Sequence, residues 1–121
     1  MTMAENRAAV LQALIAYRLP VEPTIEKLAS FGWDAIEPVA FIFSGDIDRI
    51  LTRYLAQELT GDQVTNWADL VECREDIGYQ PGQEHLADII FELANPNLRG
   101  PITPEVAKRI QARLFGTSKG A

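Results

Sequence analysis

The chain reads as an all-α protein: a single compact bundle of about six short helices with a buried, extended connector near 33–43. Three observations predict this. Apolar residues recur at helical spacing through most of the 121 residues. Proline and glycine fall at the ends of those periodic runs rather than inside them. Strand-like alternation is confined to one short apolar run. The length suits one domain, and an apolar fraction of 47% is enough for a globular core.

The elements follow in order. Val10, Ala13, Leu14 and Tyr17 form an i, i+3, i+4, i+7 set, which predicts an amphipathic helix over 3–18 that Pro20 stops. A second helix is expected over 23–31, with Pro23 near its start, Ile25, Leu28 and Ala29 inward, and Gly32 as its stop. Val39-Ala40-Phe41-Ile42-Phe43 could form a strand, but a lone strand has no ladder partner, so an extended connector is expected. Ser44-Gly45-Asp46 opens a helix over 46–59 that turns Ile47, Ile50, Leu51, Tyr54 and Leu55 inward.

Thr60 and Gln63 have the spacing of a capping box ahead of a helix over 61–73 that buries Val64, Trp67, Ala68 and Val71. Pro81-Gly82 breaks the chain before a helix over 83–94 carrying Leu86, Ile89, Ile90 and Leu93, and Asn95-Pro96-Asn97 reads as a turn. Thr103-Pro104-Glu105 is an N-cap, a first-turn proline and a first-turn acid. The last helix runs to Phe115, with Gly116 as its cap and 116–121 as a frayed tail.

The net charge is −6, from 17 acids and 11 bases. It is not evenly spread. Residues 62–92 hold eight acids against Arg74 alone, while the other 90 residues are close to neutral. On a helical wheel, Asp62, Asp69 and the continuation to Asp76 recur every seven residues and share a stripe with Glu72. Glu84, Asp88 and Glu92 form a second stripe four residues apart. Like charges at that spacing oppose helix formation by roughly 0.2–0.5 kcal/mol per pair. A solvated exterior accounts for such a pattern in many proteins. Its concentration on two helices and their loop also suits docking of a basic partner. The face so defined comprises Asp69, Glu72, Glu75, Asp76, Glu84 and Asp88, with Tyr79 as an aromatic anchor.

Other chemistries fare less well. The acidic balance argues against gripping nucleic acid through phosphates. One cysteine, Cys73, and one histidine, His85, leave no disulfide framework and no two-histidine metal site. A Cys73–His85 nucleophile is disfavoured because neighbouring carboxylates oppose a thiolate, and Asp88 three residues on suggests a local ion pair for His85. No cofactor motif occurs. No stretch approaches the roughly 18 apolar residues of a membrane span, and the N-terminus lacks the features of an export signal, so a cytoplasmic protein is expected.

Glu72-x-x-Glu75 followed by Glu84 and Asp88 resembles the carboxylate pattern of the all-α Mg²⁺-dependent nucleotide pyrophosphohydrolases, although the second pair is one residue wider than theirs and nearby phosphate-binding lysines are absent. A closer likeness lies in Arg53-Tyr54-Leu55-Ala56-Gln57-Glu58-Leu59-Thr60, Trp67-Ala68 and Arg74-Glu75-Asp76-Ile77. These resemble small helical bacterial proteins of the colicin-immunity-like kind, and Phe91-Glu92-Leu93-Ala94-Asn95-Pro96 resembles a phrase shared by uncharacterised bacterial proteins with that same middle segment, so that the likeness covers about residues 47–98. That resemblance implies a non-catalytic, immunity or antitoxin-like protein that binds a cognate basic toxin, typically a nuclease, through an acidic surface. A self-associating structural subunit is the remaining expectation.

Overall fold

The computed structural model describes residues 7–31 and 37–115. The expected helix start at residue 3, the stop at Gly32, the head of the 33–43 connector and the tail from Gly116 lie outside those residues. The described chain is predominantly helical: α1 (Arg7–Ala16), α2 (Glu22–Ala29), α3 (Ser44–Leu55), α4 (Gly61–Glu72), α5 (His85–Ala94), a single turn α6 (Pro96–Arg99) and α7 (Pro104–Phe115). Two short strands, β1 (Ala40–Ile42) and β2 (Ile77–Tyr79), complete it. No helix among the described residues is long and apolar enough to cross a membrane.

The connector differs from expectation. Its strand has a partner, supplied by what the sequence presents as a loop between two acidic helices. β1 and β2 pair in parallel, with Ala40 opposite Ile77, Phe41 opposite Gly78 and Ile42 opposite Tyr79. A parallel pair needs a long crossover, and α3 and α4 provide it. Ala40, Ile42 and Ile77 face the core, whereas Val39, Phe41 and Phe43 do not, so the segment 39–43 is buried on one side only.

Helix α1 lies at the centre, in contact with α2, α3, α4 and β1. Val10, Leu11, Leu14 and Ile15 are all buried, a broader apolar surface than one stripe, because neighbours cover the helix from several sides. α4 packs along α5 and α3 along α7. The core positions expected on these helices are buried as predicted: Val64, Trp67, Ala68 and Val71 on α4, and Leu86, Ile89, Ile90 and Leu93 on α5. Helix α2 is the exception, since only Leu28 is buried on it. Ile25 is 38% exposed. It and Ala29 border a cavity of about 160 Å³ together with Leu14, Leu28, Leu70 and Arg74.

Helix ends show why the elements stop where they do. The Thr60–Gln63 box forms as expected: the Gln63 N–H donates to Thr60 Oγ1 at 3.1 Å and the Thr60 N–H donates to Gln63 Oε1 at 2.9 Å. The Phe43 N–H donates to the Asp46 carboxylate at 2.8 Å, capping α3, and the Val106 N–H donates to Thr103 Oγ1 at 3.2 Å at the head of α7. The Asn95-Pro96-Asn97 turn is in fact the start of α6, with Pro96 in its first turn and the Asn95 amide donating to the Phe91 carbonyl at 2.8 Å.

The first helix ends before Pro20 is reached. Tyr17 takes a left-handed conformation (φ +53°). Its N–H donates to the Leu14 carbonyl while the Arg18 N–H donates to that of Ala13, the double closure of a Schellman turn. Side chains take up the carbonyls that remain. Trp67 Nε1 donates to Ile15 at 3.0 Å, and Arg53 Nη1 donates to Ala16 and Tyr17 at 3.0 and 3.1 Å. A buried helix end with free carbonyls would be costly. This one is satisfied residue by residue.

Helix α3 ends in the same way, with Gln57 at φ +69° and the Glu58 N–H donating to Arg53 O at 2.8 Å. A non-glycine residue in the left-handed region costs roughly 1 kcal/mol. Tyr17 is held there by its buried ring and by the hydroxyl, which accepts from Asn66 Nδ2. Gln57 is exposed and has no such tether. Gln57→Gly is therefore expected to raise stability by roughly 0.5–1 kcal/mol in denaturant unfolding. A loss of stability would show that the turn is not limited by its backbone.

Candidate acidic interface

The clustered carboxylates are positioned by four consecutive pieces of chain. Asp69 and Glu72 project from the last two turns of α4, and Glu75 sits in the turn that follows. β2 then delivers Tyr79 at its end, and Glu84 and Asp88 stand at the N-terminal end of α5. Asp69, Glu72, Glu75, Glu84 and Asp88 are all exposed, and Tyr79 is half-buried. Tyr79 borders a shallow groove with Gln80, Glu84 and Ala87, and its hydroxyl feels the charge of Glu72 on α4. Negative charge at the start of α5 faces the positive end of its dipole, which offsets the repulsion between Glu84 and Asp88.

Asp76 does not belong to this face. It is 0% exposed. The chain leaves helical geometry after Glu72, so the seven-residue periodicity that linked Asp62, Asp69 and Asp76 ends before it reaches the third. Asp76 instead accepts from Arg74 Nε and Nη2, both at 2.9 Å, and from Arg7 Nε at 2.8 Å. Burial alone would push its carboxyl up, but hydrogen bonds from Arg74 and Arg7, and their charges, outweigh it and hold Asp76 below the usual carboxylate range. Arg74, the one base of the acidic stretch, is buried alongside it.

Glu92, the last acid of the second stripe, is not free either. Its carboxylate is bracketed by Arg109 at 2.8 Å and Arg113 at 3.1 Å, both from α7. The sequence offers a signal for this pair, since two arginines four residues apart on one helix share a side. For Arg7, which lies 69 positions from Asp76, it offers none.

Six of the eight acids of 62–92 therefore remain exposed, and among the described residues no cation pairs with them. Asp62 stands apart from the others, in a groove with Tyr17 and Glu22. The electrostatic consequence is visible at the centre of the face. Partial burial and the Asp69 charge raise the Glu72 pKa above its ordinary value. Burial and the Glu72 charge likewise raise the Tyr79 hydroxyl. An arriving positive charge would relieve the Glu72 carboxylate, while Tyr79 stays an uncharged hydroxyl beside it.

Other expected pairings are not made. No ion pair joins His85 to Asp88 among the described residues, and Cys73 is an exposed free thiol. Glu72 and Glu75 are not one turn apart on a helix, because α4 ends at Glu72. Among the described residues, no three carboxylate, imidazole or thiol groups converge closely enough to hold a metal ion.

No protein-family model, curated protein or solved structure matches the chain.

Proposed function

We propose that the chain is a non-catalytic protein-binding domain of the immunity or antitoxin kind, which neutralises a basic toxin, such as a nuclease, through the face formed by Asp69, Glu72, Glu75, Glu84 and Asp88 around Tyr79. One observation carries the reading. The arginines nearest this region are engaged by Asp76 and Glu92, and the exposed acids are left without a described cation. Solubility alone does not require that segregation. A complementary surface on a partner would supply the missing charge and speed encounter through long-range attraction.

The test is binding to a basic domain encoded beside this chain, measured by calorimetry and by association kinetics. Glu72→Lys, Glu75→Lys and Asp88→Lys combined should weaken binding by about a hundredfold or more and slow association, with the difference shrinking as salt rises. Asp76 is left intact because its replacement would perturb the fold. An affinity unmoved by the triple reversal would overturn the proposal.

A further inference from the structure

The outward side of the two-stranded sheet carries an observation independent of the carboxylates. Along 39–43 burial alternates residue by residue: Ala40 and Ile42 are buried, while Val39, Phe41 and Phe43 are 39%, 37% and 48% exposed. A strand with one face on the core ordinarily turns polar residues to solvent. Here all three outward residues are apolar.

The strand opposite extends this surface. A Cβ at Gly78 would lie 3.0 Å from the Phe41 ring and 3.0 Å from Pro38, so both side chains lie directly across the glycine backbone. Pro38, Val39, Phe41 and Phe43 thus present an apolar patch on the sheet, which has two strands among the described residues. Exposed aromatic patches with polar rims are the usual centres of protein interfaces.

The rim fixes the sign of the partner. Exposed Glu37 directly precedes Pro38. Glu75 directly precedes Asp76, whose carbonyl accepts from the Val39 N–H at 2.8 Å. At the other end the Gln80 N–H donates to the Ile42 carbonyl at 2.9 Å, closing the ladder. Arg49, near Phe43 in the chain, is held by Asp46. A second copy of the chain would bring these acids against their own kind, which is repulsive.

We infer that this sheet face is a second, apolar contact of the interface, on the side of the ladder opposite Tyr79. Its occupant is a basic protein that seats an aliphatic or aromatic side chain against Phe41 and Phe43 while its lysines or arginines meet Glu37 and Glu75. The sign of the partner's charge rests on the acidic-face reading above; the anchor does not.

Two peptides test this on the full chain: decalysine, and a decapeptide of lysine with phenylalanine and leucine at two central positions. Binding is followed by amide NMR at low salt. The anchored peptide should bind at least about tenfold tighter than decalysine and perturb the amides of 39–43 and 77–80. In Phe41→Ser/Phe43→Ser, whose melting temperature checks the fold, that advantage should vanish while decalysine binding stays. Equal affinity of the two peptides, or an advantage that survives the double substitution, would overturn the inference. If both peptides bind equally and both are lost in the Glu72→Lys/Glu75→Lys/Asp88→Lys chain, the acidic face stands and only the apolar contact fails. If decalysine does not bind the unaltered chain at all, the acidic-face reading falls, and the partner's charge with it.

Discussion

Replacing Asp76 by alanine is expected to lower folding stability by about 3–5 kcal/mol, a shift of roughly 10–20 °C in melting temperature. The side chain is fully buried and is the shared acceptor for Arg74 and Arg7. Without it, a buried guanidinium loses the carboxylate it donates to twice, and the cost exceeds that of one hydrogen bond. The same residue ties three elements together. Its carboxylate reaches α1 through Arg7, while its backbone carbonyl accepts from both Val39 and Ala40 at the head of β1.

The pH dependence follows from the direction of its pKa. Asp76 is held below the usual carboxylate range, so the stability it contributes is fully present above the unfolded-chain value of about 3.9. That contribution is lost as pH falls through the lower, folded value. Thermal melts taken from pH 7 downward should show the unaltered chain falling steeply below about pH 4. Asp76→Asn should start lower at neutral pH and fall less steeply over the same interval. Parallel curves would show that other carboxylates govern acid unfolding.

The second large effect is expected at Trp67. Its side chain is 0% exposed, at the junction of α4 with the end of α1. Trp67→Ala should cost about 3–5 kcal/mol, since the lost burial is compounded by a cavity the neighbours cannot fully close. Trp67→Phe separates two contributions. It keeps an aromatic ring but removes the donor to the Ile15 carbonyl, and should cost about 1–3 kcal/mol, part of it the smaller ring's lost volume. Denaturant unfolding of both variants measures the division. A phenylalanine variant as unstable as the alanine one would mean that the carbonyl, not the packing, dominates. A neutral one would mean that water reaches the end of α1.

Local chemistry was the legible part of this fold. The Thr60–Gln63 box, the Thr103 cap and the inward sets of α4 and α5 depend on residues within a few positions of one another, and all are realised. Long-range partners were not legible. β1 finds its ladder in Ile77–Tyr79, 37 positions on, and a three-residue strand carries too little pattern to reveal a mate at that distance. Charge behaved similarly. A helical wheel correctly sets Asp69 and Glu72 outward, but it has no knowledge of where α4 stops. It therefore carries Asp76 to the surface when that residue is in the core beside Arg7 and Arg74. The i, i+4 spacing sets Glu92 in an acidic stripe, but its partners Arg109 and Arg113 arrive from α7, beyond the α6 turn. Ile25 followed the apolar pattern of α2 outward to the border of a cavity, since a short helix at the edge of a bundle has little core to face.

The parallel pairing of β1 with β2 also bears on the order in which the molecule assembles. Its contacts can form only after the segment between them has folded back on itself, so the entropy of closing a long loop falls on a ladder of three residues. Helices α4 and α5, adjacent in the chain and packed along each other, can precede it. The sheet is then a closing clasp rather than a nucleus. Because Asp76 carries both the start of that ladder and the buried arginine pair, the same late event brings the charges of α1 and the middle of the chain into register.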